Sequence, residues 1–102
     1  MKELFSDGSF FRLGPFLIRY LPKADITTHQ VLISVPKKNH KRAVVRNTIK
    51  RRIREAYRLH KQMLPESPLY LMAFIYLSKE ELPYTLIEEK LKKGLSRLEQ
   101  QA

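Results

Sequence analysis

Eleven of the chain's 20 lysines and arginines fall between Lys37 and Lys61, where the single acid is Glu55. Outside that window nine basic residues balance nine acidic ones, so the net charge of +10 resides within it. Arg46, Asn47, Lys50, Arg51, Arg54 and Arg58 recur there at the intervals that place side chains on adjoining turns of one helical face. Guanidinium groups bond phosphate oxygens in pairs, an ammonium adds a mobile point charge, and an amide suits a base edge or a ribose hydroxyl. Just upstream, Lys37, Lys38, Lys41 and Arg42 make "PKKNHKR" a basic loop facing the positive end of the helix. Like charge at this density repels itself unless a polyanion neutralises it. The chemistry implied is phosphate binding, with nucleic acid the leading ligand, and the pattern does not choose between DNA and RNA.

Richer chemistry finds no residues. A nuclease acting alone needs paired carboxylates for Mg2+ or a histidine acting as acid and base. Glu55 reads as a surface residue pairing with Lys50, Arg51 or Arg52. His29, His40 and His60 lack metal-ligand spacing, and His60 falls on an apolar face as a packing histidine. There is no glycine-rich phosphate loop for a nucleotide. The aromatics Phe5, Phe10, Phe11, Phe16, Tyr20, Tyr70, Phe74 and Tyr76 could stack bases, but most read as core.

The elements that must position the stripe follow from hydrophobic period. Val45, Ile49, Ile53, Ala56, Tyr57, His60 and Leu64 mark a helix over about 44–64, stopped by Pro65. Ile87, Leu91, Leu95 and Leu98 mark a second, opened by Thr85 and Glu88 at capping-box spacing and weakened slightly by Gly94. Strands are predicted at Pro15–Leu21, Gln30–Val35 and Leu69–Leu77, with "PKADITTH" as a hairpin-like connection between the first two. In the third, Tyr70, Met72, Phe74 and Tyr76 share one face and Leu69, Leu71, Ala73, Ile75 and Leu77 the other, one packed and one partly open beside the basic helix. The order strand, strand, helix, strand, helix is that of an α+β sandwich. At 102 residues, 43% hydrophobic and without cysteine, the chain reads as one domain over 1–102, intracellular and with no membrane span.

The stretch "ISVPKKNHKRAVVRNTIKRRIREAYR", Ile33 to Arg58, resembles the signature of the bacterial ribonuclease P protein component. That pattern sets a Ser-Val strand end and a Lys-Lys pair before Ala-Val, Arg-Asn, Lys-Arg and Arg-Glu along one helix. "LFSDGSFFRLGPFLIRYL" is similar to the family's approach to its first strand, and the resemblance spans nearly the whole chain. It implies a sandwich of about four strands and two to three helices, like a ribosomal-protein domain with a left-handed βαβ crossover. It implies an accessory subunit of an endoribonuclease whose RNA carries the catalytic groups and most of the Mg2+, with no cofactor on the protein alone. The partners implied are that catalytic RNA and precursor tRNA, whose 5′ leader is removed, for a cytoplasmic protein monomeric by itself. Arg46, Asn47, Lys50, Arg51 and Arg54 are implied to face RNA, and Phe5 to line a leader cleft between the sheet and the basic helix.

The chain departs from the pattern in three places. Thr48 stands where a second arginine often follows Arg-Asn, and the basic loop is one residue longer, with Pro36 for a common serine and the usual glycine missing. The segment before Phe5 is four residues long, enough for a stub of the family's first helix. The alternatives are a general RNA-binding protein of ribosomal type and an autonomous endonuclease.

Overall fold

The computed structural model describes residues 2–101, with side chains from residue 4 onward. Helix α1 (Lys2–Asp7) precedes strands β1 (Ser9–Leu13), β2 (Phe16–Pro22) and β3 (Gln30–Ser34). Helix α2 (Ala43–His60) runs into a 3-10 turn (Lys61–Met63), and β4 (Tyr70–Tyr76) and α3 (Tyr84–Gln100) complete the chain. The sheet order is β1-β2-β4-β3, with β3 parallel to β4 and the other pairs antiparallel. This mixed four-stranded sheet with its helices is the expected α+β architecture.

The uninterrupted apolar run becomes a central strand because only there are both faces and both edges of a strand covered. Its even face, Tyr70, Met72, Phe74 and Tyr76, is buried with Ile49, Ile53 and Ala56 of α2 and Ile87, Leu91, Leu95 and Leu98 of α3. Its odd face buries Leu71 and Ala73 under Leu4 of α1. The two faces are therefore closed by different helices.

Two local expectations are corrected. "PKADITTH" does not close a hairpin: β4 lies between β2 and β3, so the segment passes across the end of the sheet. The hairpin is instead β1-β2, turned at Gly14, whose φ of 55 is a conformation that a side chain would strain. Helix α3 starts on Pro83 without a side-chain cap, and Glu88 turns to His60 rather than back toward Thr85. Gly94 sits in that helix where an added Cβ would meet Ile18 Cδ1 at 2.5 Å. The glycine lowers helix propensity and in exchange lets α3 lie against the sheet.

Candidate nucleic-acid interface

The basic loop begins where Pro36 ends β3. The Asn39 and His40 amides return to Pro36 O at 3.2 and 3.3 Å, folding a turn that leaves Lys37 and Lys38 exposed. His40 is buried, donates from Nε2 to Ser78 O at 2.8 Å and leans on the Tyr76 ring. Arg46 reaches back from α2 and donates from Nη1 to His40 O and Lys41 O, each at 2.9 Å. Loop and helix start are thus one hydrogen-bonded unit.

Helix α2 opens on Arg42 in extended conformation, with no side-chain cap and no acid in its first turn. The orphan amides of a helix start normally take a capping oxygen, and the positive end normally attracts acids. Here Lys41 and Arg42 stand exposed at that positive end. The local electrostatics favour an anion from outside the chain.

Along α2, burial of Ile49, Ile53 and Ala56 fixes which side chains face outward. Each buried isoleucine contributes about 1.5–3 kcal/mol to that docking. Asn47, Arg51, Arg54 and Arg58 are exposed, and Lys50 and Arg46 half-buried beside the core face. Thr48 bonds Val44 O at 2.9 Å, which occupies its hydroxyl within the helix. Glu55 pairs with Arg58 rather than with Lys50, Arg51 or Arg52. That bond holds the Glu55 carboxyl below its ordinary range and the Arg58 guanidinium above its own. Both groups are exposed, so the pair can exchange for a phosphate. Arg52 lies on the other flank, bonded to Leu82 O at 2.8 Å and Glu81 at 3.2 Å, and ties α2 to the segment before α3.

The histidines are structural. His29 donates to Pro65 O at 2.8 Å and accepts from the Tyr70 amide at 3.0 Å. His60, half-buried as a packing residue would be, pairs with Glu88 at 2.9 Å, and Tyr84 donates to the same carboxylate. Among the described residues no three His, Asp or Glu side chains come together to hold a metal ion.

Between the sheet and α2 the described residues pack together as core. Phe5 stands instead over the opposite face, 47% exposed. The Arg19 guanidinium lies 5.3 Å from the ring centres of both Phe5 and Phe10, and its Nε is buried without a hydrogen-bond partner. Phe10 and Leu32 are exposed on the same face. The sequence reading singled out Phe5 but neither Arg19 nor this patch. Its signal is the hairpin register, which sets Phe10 opposite Arg19. Phe11, Phe16, Tyr70, Phe74 and Tyr76 are core, as read.

The ribonuclease P family model matches residues 2–99. A ribonuclease P protein component of Porphyromonas gingivalis is 34% identical over 105 residues, covering 96% of this chain and 77% of the relative. That of a Picosynechococcus species is 35% identical over 100 residues, covering 96% and 83%. The Staphylococcus aureus RNase P protein structure superposes with a TM-score of 0.79 at 23% identity, covering 95% of this chain and 85% of that one. The Thermotoga maritima protein gives 0.79 at 24%, covering 92% and 86%. At such identities these two structures speak for the fold.

Proposed function

The chain belongs to the ribonuclease P protein family and is a protein subunit of that tRNA 5′-processing ribonucleoprotein, partnered with its RNA; from this premise we propose that the loop 36–42 and the outer face of α2 are where it meets RNA. The observation that carries the reading is the start of α2, uncapped, without an acid and surrounded by cations. Lys37, Lys38, Lys41 and Arg42 take phosphates at that end, Arg46 stands where loop and helix join, and Asn47, Lys50, Arg51, Arg54 and Arg58 continue the track. Phe5, beside Arg19, offers the opposite face a ring on which a leader base can stack. If six to eight phosphates are engaged, affinity falls by about three to five orders of magnitude between low and moderate salt.

Precursor tRNA is the substrate in this reading, and the protein binds its leader without supplying catalytic groups. Held mainly by the RNA, Mg2+ supplies the Lewis acid and activated water of phosphodiester hydrolysis. The donor set supports that division, since the described residues bring no acid cluster to the basic surface. We place the protein in the cytoplasm, acting as one domain and monomeric by itself. No described helix is long and apolar enough to cross a membrane.

Reconstitution tests the reading. The protein is added to a bacterial catalytic RNA and precursor tRNA at low Mg2+, and stimulated leader removal is expected. No stimulation would favour a purely structural RNA-binding role, and cleavage by the protein alone would move the catalytic groups onto this chain.

A further inference from the structure

Arg46 carries the cationic signature of a phosphate ligand, yet its geometry gives it another task. Nη1 has two protons, and the two recorded bonds of this side chain direct them to His40 O and Lys41 O. Those carbonyls belong to consecutive residues of a loop whose neighbours Lys37, Lys38, Lys41 and Arg42 repel one another. A guanidinium bonded to both carbonyls holds them turned toward α2, and so holds the preceding turn closed. His40 fastens the same loop from the other side, through Ser78 O. The base it fastens to is itself anchored: the Tyr76 hydroxyl donates to Glu80 O at 2.6 Å and accepts from the Leu82 amide at 3.2 Å, while Arg52 holds Leu82 O. Among the described residues His40 is the one buried polar side chain outside the hydrophobic core set, which suits a bolt better than a ligand.

We infer that Arg46 and His40 are positioning residues, which set the shape of the loop 36–42 so that its cations present together to RNA. The inference rests on the RNA-facing reading of that loop and adds a division of labour to it. Lys37, Lys38, Lys41 and Arg42 touch phosphate, while Arg46 acts through them by way of the backbone. Substituting Arg46 therefore removes the arrangement of several contacts at once, and its cost depends on whether those contacts exist.

Two measurements test this. Hydrogen exchange on the protein without RNA reports the loop directly, because the Asn39 and His40 amides are bonded to Pro36 O. Arg46→Ala and His40→Ala should each speed exchange at these amides by about tenfold or more and leave β4 amides unchanged. His40→Gln keeps a donor near the Nε2 position and should restore protection. Unchanged loop exchange in Arg46→Ala would overturn the inference whatever RNA does.

The second measurement is a double-mutant cycle on binding to a catalytic RNA of the ribonuclease P type. In the wild-type background Arg46→Ala should weaken binding by about tenfold or more. In a variant with Lys37, Lys38, Lys41 and Arg42 all changed to Ala it should weaken binding by less than about twofold. An equal cost in both backgrounds would make Arg46 a direct phosphate ligand and overturn the inference. If the fourfold loop variant itself binds as tightly as wild type, the RNA-facing reading of the loop fails first, and the inference fails with it.

Discussion

Helices α2 and α3 are nearly the same length and insert their apolar faces into the same core, Ile49, Ile53 and Ala56 from one and Ile87, Leu91, Leu95 and Leu98 from the other. Their outer faces differ. Helix α2 carries six lysines and arginines and one acid, while α3 carries four and three. The α3 charges partly satisfy one another, as in the 3.5 Å contact of Lys93 with Glu89, and Arg97 lies 4.3 Å over the Phe11 ring. Helix α2 leaves Arg51 and Arg54 exposed and begins without a cap. Burial decides how a helix docks and leaves the solvent face open to selection for a partner. Two helices with one folding task can thus diverge in their external one.

The largest effect should be common to both helices. Ile53→Ala and Leu95→Ala each empty a fully buried site and should cost about 2–5 kcal/mol in denaturant unfolding. If Ile53→Ala cost nothing, α2 would not be docked as described and the comparison would lose its basis. The next effect should separate the helices. Removing Lys50, Arg51 and Arg54 together should weaken RNA binding by about a hundredfold or more at moderate salt and lower the salt slope by about two. Removing Lys90, Lys92 and Lys93 from α3 should change neither by much. Equal losses would mean that RNA responds to net charge alone and that the stripe has no special place.

How much of this could be read from sequence depends on how far each determinant reaches. The two helices and β4 are legible because period and apolar length are local consequences of burial. The basic stripe is legible for the same reason, since the positions of Ile49 and Ile53 fix the direction of Arg54. Strand order is not, because "PKADITTH" has the same composition whether it turns back or crosses β4. The short strand β1 hides because Phe10 faces out and Phe11 in, so both sides of the alternation are aromatic. Side-chain pairing is least legible. Arg46, at an RNA-facing position by pattern, bonds two carbonyls upstream, and Glu88, at capping-box spacing, finds His60 in another helix. In each case a partner brought by the fold competes with the one proposed by spacing.

That last pair also joins the two helices being compared, and it should have the smallest effect. His60 ends α2 and Glu88 lies in the first turns of α3, with Tyr84 donating to the same carboxylate. The His60 hydrogen bond, more than any other cause, holds the Glu88 carboxyl below its ordinary range. A carboxylate with a depressed pKa in the folded state adds stability above its unfolded pKa and loses it as pH falls through the folded one. Glu88→Gln should therefore be less stable than wild type at neutral pH, and the gap should narrow through the acid range in which the carboxylate takes up its proton. Thermal unfolding of the two proteins across that range measures it. A constant gap would mean that the carboxylate charge contributes nothing to holding α2 against α3, leaving their shared core as the whole of the connection.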